Sequence, residues 1–497
     1  MLAYILFIIY VIALTYITLY CLLQTHLLFF YRRHHRTHDI KALKKATIDE
    51  ELPFVTIQLP IYNELFVVER LIDNIVKQNY PKDKYEIHVL DDSTDETVEI
   101  TRKKVEEYKA KGFNIEQIRR ADRKGYKAGA LKEGMKVAKG NLIAIFDADF
   151  LPRPDFLLTT VAVFQENPEI GVVQTKWEHI NKDYSLLTQL QAMQLDVHFT
   201  VEQQGRYAGN CLLQFNGTAG MWRRKTIDDA GGWEADTLTE DLDLSYRAQL
   251  KGWKIKYLEG FGSPAELPAE MNGLKSQQFR WTKGGAETAK KMIGIIWRSN
   301  IPLRQKIHGT IHLSASSVFV FIFLAAITSV PLVFLLDKMA IPVNTDLLIF
   351  FLLGLIGVIG VYYEANVRSK LDESSWLKLM FKFVVYFPLF LAISMGMSLH
   401  NTVAVIQGYI GKKSAFIRTP KFDIKGISDS FNKQKYLASK IGWTTIFEGL
   451  LAIYFFVGFI GGISNHGNGS FIAFHGLLAF GFGMIAYWTV SHLRLKR

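Results

Sequence analysis

Leu142-Ile143-Ala144-Ile145-Phe146-Asp147-Ala148-Asp149 is the stretch on which the fold turns. Its apolar run reads as a buried strand, which leaves two aspartates at the strand's carboxyl end. The same pattern occurs upstream, where Ile87 to Leu90 precede Asp91-Asp92. In open α/β sheets, ligands bind beyond the carboxyl ends of strands. Working outward, the spacing predicts strands over Val55 to Leu59, Tyr85 to Leu90 and Asn141 to Phe146. Between them it predicts helices over Glu64 to Gln78, Asp95 to Lys111 and Lys127 to Lys139. Such alternation predicts a doubly wound α/β sheet.

Each cluster along this frame has a plain structural reading and a chemical one. Asp147 and Asp149, one residue apart, can cap a following helix, or can present hard oxygen ligands to Mg²⁺ or Mn²⁺ with phosphate oxygens completing the shell. In Asp91-Asp92-Ser93-Thr94 one aspartate is expected to cap the next helix, with Glu96 completing a box, and the other to accept hydrogen bonds from a base or a ribose. Tyr62, at the end of the first strand, is placed to pack on a nucleobase or simply in the core. Lys124 to Leu131 open a helix with small residues and ammonium groups, a seat for a diphosphate or a solvated turn. Thr239-Glu240-Asp241 begin another helix, where acids complement the dipole or one takes a proton from an acceptor hydroxyl. Asp241 is the choice: Asp243 falls a turn out of phase, and Glu240 is expected to point away. Gln277, Arg280 and Trp281 can share one helical face, with an indole to stack on a sugar and a guanidinium to meet phosphate, or an interfacial membrane anchor. Phe215-Asn216-Gly217-Thr218 form a turn that lines a cleft or only closes a loop.

The chain has 497 residues and a formal net charge of +11. The excess Lys and Arg sit beside apolar stretches, at Arg32 to Arg36, Lys290-Lys291, Lys412-Lys413 and Arg494 to Arg497, which favours anionic headgroups. No basic face interleaves with stacking aromatics, so nucleic acid is not an expected partner. Cys21 and Cys211 offer no metal spacing and suit a reducing compartment. Leu2 to Tyr31 carry no charged residue, long enough for the roughly 20 residues a span requires, and the positive cluster follows the run, unlike a signal peptide. The organisation expected is an anchor over residues 1–31, a cytosolic catalytic region over 49–300, and a membrane region over 308–497 with a cytosolic loop over 411–440. Five crossings place every basic loop inside, provided Phe381 to Ile406, interrupted by Pro388, is re-entrant or interfacial; counting it as a span gives six.

The motifs QLPIYNE, VLDDSTDET, GYKAGALKEGM, AIFDADFLPRPDF, LDVHFTVEQ, FNGTAGMWR, TEDLDLSYRAQLKGW and QQFRW, in that order from Val55 to Trp281, resemble the family 2 processive glycosyltransferases, which include cellulose, hyaluronan and chitin synthases. The stretches are most similar to plant cellulose-synthase-like A and C proteins, makers of β-mannan or glucomannan and of xyloglucan backbone. The resemblance implies a GT-A (Rossmann-like) catalytic domain set between an N-terminal membrane helix and a C-terminal helical bundle. It implies that Tyr62, Glu64, Asp91 or Asp92, Lys127 and Asp147 bind the nucleotide sugar, and that Asp147 and Asp149 hold Mg²⁺ or Mn²⁺ at the diphosphate. It makes Asp241 the base, and gives Gln277, Arg280 and Trp281 to the acceptor end and the diphosphate. Phe416 to Lys421 is similar to that family's gating loop, with Ile417 where the usual motif has Val. The implied activity is inverting transfer of hexose from GDP-mannose or UDP-glucose to a growing β-linked polysaccharide. The implied setting is a multi-pass protein of a plasma or Golgi-type membrane. The alternative is transfer of one sugar to a lipid, as ceramide and diacylglycerol glucosyltransferases do. Nucleotide sugar, polysaccharide and bilayer are the expected partners; no protein partner is implied.

Overall fold

The computed structural model describes residues 1–37, 45–46, 51–335, 345–426, 428–429, 435–438, 440–464 and 470–493. The expected boundary at residue 49 and the basic tail Arg494 to Arg497 lie outside them. The chain opens with α1 (Leu2–Thr37). A sheet unit follows: β1 (Val55–Ile61), α2 (Val68–Ile75), β2 (Tyr85–Asp91), α3 (Thr97–Ala110), β3 (Ile115–Ile118), α4 (Tyr126–Val137) and β4 (Leu142–Ile145). It continues through α5 (Phe156–Glu166), β5 (Ile170–His179), α6 (Leu186–Val197), α7 (Gln203–Ala208), β6 (Gly220–Arg223), α8 (Arg224–Asp229), α9 (Glu240–Leu250) and β7 (Lys254–Ala265). Then come α10 (Met271–Arg298), α11 (Leu303–Leu313), α12 (Val318–Leu335), α13 (Thr345–Asn366), α14 (Trp376–Gly396), α15 (Ser398–Ile410), α16 (Trp443–Ser464) and α17 (Ser470–Ser491).

The strands form one sheet in the order β3-β2-β1-β4-β6-β5-β7. The doubly wound expectation describes β1 to β4, which are parallel, with β1 between β2 and β4. Beyond them β6 runs antiparallel to both its neighbours, so the sheet is mixed. Helices cover both faces. Ile57, Leu71, Ile75, Phe156 and Val161 pack in one apolar layer, and Leu131, Ile143, Ile145, Trp222 and Leu244 in the other. Two-sided burial is why β4 reads as a continuous apolar run, while β1 and β2 bury Thr56, Gln58, Glu86 and His88 between their apolar residues. The connection order reverses between β2 and β4, so the loops leaving β1, β2 and β4 open a crevice at the carboxyl edge. The helix expected from Glu64 begins only at Val68. The preceding residues are spent on the crevice: Asn63, with φ of 55°, donates its backbone N–H to Ser93 Oγ at 2.8 Å, tying the β1 loop to the β2 loop.

Among the described residues, six helices are long and apolar enough to cross a membrane: Leu2–His35, Ala315–Leu335, Ile349–Lys370, Trp376–Gly396, Trp443–Ser464 and Phe471–Ser491. Pro388 does not break the fourth, which continues through it. Contacts with the sheet unit gather at one end of the bundle. Tyr31 of α1 donates to Glu259 at 3.2 Å. Asn366 at the end of α13 donates to Met193 O at 3.2 Å, Glu448 of α16 pairs with Lys275 at 2.6 Å, and His492 beyond α17 accepts from Met271 N at 3.1 Å. Helix α14 runs chiefly along α17. Its Phe383, Phe387, Phe390 and Ile393 share an apolar cluster with Leu187, Leu190 and Met193 of α6, Met271 and Leu274 of α10 and Ile485 of α17. Its far end meets the middle of α17, where a Cβ on Gly481 would lie 1.9 Å from Ala392 O. Helix α15 then returns along α10, with His400 Nε2 donating to Lys275 O at 3.0 Å and Gly408 fitted against Lys283 O.

Candidate active site

The crevice at the carboxyl edge is a cavity lined by loops from β1, β2 and β4, the start of α9, one face of α10 and the segment Phe416 to Lys421. Asp147 and Asp149 both reach it, and neither caps a helix: α5 has Asp155 at its N-cap. Asp147 Oδ1 accepts from Lys127 Nζ at 2.5 Å, and its backbone N–H donates to Thr218 Oγ1 at 2.8 Å. Lys127 also donates to Gly217 O at 3.0 Å. Two residues on, Gly129 packs the first turn of α4 against the preceding loop, where a Cβ would lie 2.1 Å from Lys124 O. Asp149 Oδ2 accepts from Lys421 Nζ at 2.5 Å across 272 residues of sequence.

The two aspartates after β2 divide their tasks. Asp91 lies beneath the cavity and does not line it: it accepts from Ser93 N at 2.8 Å and from Gln117 Nε2 at 2.7 Å. Asp92 lines the cavity and is held by Arg120, whose Nε donates at 2.9 Å. The expected capping box at Glu96 does not form; Asp95 Oδ1 instead accepts from Thr97 N at 3.0 Å at the start of α3. Tyr62 and Glu64 line the wall, Tyr62 beneath the guanidinium of Arg123 at 3.2 Å from its ring centre. Tyr126 and Phe416 stack beside them at 5.7 Å. Arg123 drew no attention in the sequence, because an arginine in a basic turn looks like every other one there.

Asp241 sits in the first turn of α9, Oδ1 accepting from Leu242 N at 2.8 Å. Gly217, with φ of 79°, passes so close that a Cβ there would lie 2.9 Å from Asp241 Oδ2. Glu240 was expected to point away, but it lines the same cavity and is buried. The helix starts at this residue, so helical phase does not yet govern where its side chain goes. Asp243 does turn out, to Arg247 at 2.8 Å and Lys291 at 3.0 Å. Gln277, Arg280 and Trp281 of α10 face the cavity together, Trp281 with its ring centre 6.5 Å from that of Trp177. Arg280 donates to Thr419 Oγ1 at 2.9 Å and to Ile417 O. Arg418 pairs with Glu64 at 2.9 Å. Asn216 lines the cavity with Oδ1 bonded to His198 at 2.9 Å and Gln214 at 2.7 Å.

Seven carboxylates (Glu64, Asp92, Asp147, Asp149, Glu240, Asp241, Glu266) and five basic side chains (Arg123, Lys127, Arg280, Arg418, Lys421) meet in this lining, with Arg120 behind Asp92 and Arg70 behind Glu266. The consequences follow from burial. Asp241 is pushed well above the ordinary carboxylate range, first by burial and then by the charge of Glu240 beside it. Burial raises Asp147 despite Lys127, and raises Glu64 to about 7 despite Arg418. Burial also lowers Arg280 to about 10, against the pull of Asp147, Glu240, Glu64 and Asp149. The cluster of hard carboxylate oxygens at the strand edge fits a divalent cation, which Asp149 and Asp147 could hold. The acidic group Glu234, Asp236 and Asp243 elsewhere is already bridged by Lys291.

A mixed sheet with acidic residues at the carboxyl edge, a buried acid at a helix start and an Arg-Trp helix beneath a membrane bundle define the GT-A glycosyltransferase class. Residues 53–284 match the family model described as glycosyltransferase like family 2. Glucomannan 4-beta-mannosyltransferase 9 of Arabidopsis thaliana is 36% identical over 403 residues, covering 78% of this chain and 72% of its own. Glucomannan 4-beta-mannosyltransferase 1 of Oryza sativa subsp. japonica is 44% identical over 261 residues, covering 52% of this chain; the chain spans 50% of that relative. Among solved structures, the mannosyltransferase PcManGT from Pyrobaculum calidifontis, in complex with GDP-Man and Mn²⁺, superimposes with a TM-score of 0.50 at 18% identity, over 80% of this chain and 100% of that one; the likeness is one of fold. The chain belongs to glycosyltransferase family 2.

Proposed function

We propose that this enzyme is an inverting β-mannosyltransferase of the membrane, extending a glucomannan-type polysaccharide from a nucleotide-linked sugar, with GDP-mannose the first donor to try and UDP-glucose the second. The observation that carries the reading is the convergence on one cavity of Asp147 and Asp149, the buried Asp241, and Gln277, Arg280 and Trp281. The relatives named above, glucomannan 4-beta-mannosyltransferases, supply the sugar class. Transfer of a single sugar to a lipid is not favoured by them.

In this reading Tyr62, Arg123 and Asp92 take the nucleoside. Asp149 and Asp147 hold Mg²⁺ or Mn²⁺, which when bound supplies Lewis-acid neutralisation of the leaving diphosphate. Lys127 and Arg280 add charge-assisted hydrogen bonds to the same group. Trp281 and Trp177 offer faces for the terminal sugar of the acceptor. Asp241 takes the proton of the acceptor's C4 hydroxyl as that oxygen attacks the anomeric carbon, and the sugar–diphosphate bond breaks on the opposite face. One displacement turns an α-linked donor into a β-linked product.

The test is direct: purified enzyme in lipid, given radiolabelled GDP-mannose or UDP-glucose with Mg²⁺ or Mn²⁺, should make long chains that β-mannanase degrades. A labelled monosaccharide that extracts only with lipid would overturn the reading. For the membrane we propose five crossings, by α1, α12, α13, α16 and α17, with α14 and α15 re-entrant on the catalytic side. The apolar cluster that α14 shares with α6 and α10, and the return of α15 along α10, support this. A charged tag fused after Arg497 should then be reachable from the same side as the catalytic unit, and exposure on the opposite side would reject five crossings.

A further inference from the structure

The segment Phe416 to Phe422 does more than close over the cavity, because one of its side chains sits on the oxygen that a divalent ion would need. Lys421 Nζ lies 2.5 Å from Asp149 Oδ2, with Asp149 only 9% exposed and Lys421 only 8%. The ammonium also donates to Glu266 O. The contact is not the wandering of a long side chain. The next backbone N–H, that of Phe422, donates to Glu266 Oε1 at 2.8 Å, and Arg70 holds the other Glu266 oxygen at 3.4 Å while pairing with Asp423. Three residues upstream, Arg418 is held on Glu64 at 2.9 Å. The segment is thus pinned on both sides of Lys421, which aims its ammonium at one carboxylate.

A lysine ammonium and a divalent ion cannot share Asp149 Oδ2: two cations at coordination distance repel strongly in a low-dielectric site. We propose that Lys421 is an internal competitor for the divalent cation, occupying Asp149 until a nucleoside diphosphate offers the ammonium a second anion to pair with. Ion and ammonium then exchange at a single oxygen, which ties metal entry to donor entry and to the position of the loop. The inference rests on the reading of Asp149 as a metal ligand given above.

The experiment is Mn²⁺ binding to the full-length enzyme in detergent, followed by the electron paramagnetic resonance of the free ion, with and without GDP. Without nucleotide, Lys421→Met should bind Mn²⁺ tighter than the unaltered enzyme by about tenfold, the loss of one charge-assisted contact. Lys421→Arg, which keeps a cation at the carboxylate, should not. GDP should tighten Mn²⁺ more in the unaltered enzyme than in Lys421→Met, since only the former has an ammonium to hand over. Lys421→Gln, with an uncharged polar head, repeats the test should the methionine variant be unstable on size exclusion. Equal or weaker Mn²⁺ binding by the uncharged variants, with Asp149→Ala losing it, would overturn the competition alone. Unchanged binding in Asp149→Ala would show instead that the metal reading beneath it is wrong.

Discussion

Asp241→Asn is expected to lower sugar transfer by about 10²–10⁴-fold while nucleotide binding persists, because it removes the proton acceptor and little else. The pH profile checks the assignment independently of the size of the loss. A base must be ionised to act, and burial with Glu240 as neighbour holds Asp241 above the ordinary carboxylate range. Transfer should therefore fade as pH falls through that raised value, well before an exposed aspartate would protonate. Glu240→Gln removes a like charge and should move this acid limb to lower pH. Glu64 is raised to about 7 as well, so Glu64→Gln is the control: it should leave the limb in place. Should the limb vanish in Glu64→Gln and persist in the residual activity of Asp241→Asn, the base has been misplaced.

The parts of this site that were legible in the sequence are those whose position follows from the end of a local element. Asp147 and Asp149 follow a buried strand and Asp241 opens a helix, so strand period and capping chemistry were enough to bring them toward one edge. Glu240 was misjudged because helical phase was applied to the residue at which the helix begins. Asp91 and Asp92 are adjacent in sequence, and what separates their roles is Gln117 below and Arg120 beside them, both contributed by the segment after α3. The four-residue β6 runs against its neighbours and is held by pairing to β4 and β5, a long-range feature without a local period. Lys421 meets Asp149 across 272 residues, a distance no pattern in either segment reports. In the membrane region, apolar length and composition make α14 a candidate span on the same footing as the other five, and the sequence offers no further local signal to sort them.

Arg280→Ala is expected to cost about 10²–10³-fold in kcat, comparable to deleting one preorganised donor from a site where charge develops on the leaving group. Arg280 stands among Asp147, Glu240, Glu64 and Asp149, and burial pulls it down to about 10, still far enough above neutrality to keep it charged throughout the working range. Its removal leaves Glu240, whose charge adds to burial in raising Asp241, with one compensating cation fewer, so the acid limb should move to higher pH in the same variant. Arg280 also fastens the loop, donating to Thr419 Oγ1 at 2.9 Å and to Ile417 O, with its guanidinium 4.7 Å from the Phe416 ring centre. Arg280→Lys separates the two tasks. A lysine restores the charge and with it most of the pH profile, but its single ammonium cannot reproduce the planar fork that reaches two loop acceptors and stacks on Phe416. The lysine variant should therefore recover part of kcat while KM for the donor stays high, because the loop closes less firmly over a bound nucleotide. If lysine instead rescues KM and leaves kcat at the alanine level, the guanidinium acts on the leaving group through its geometry, and the loop contact is incidental to turnover.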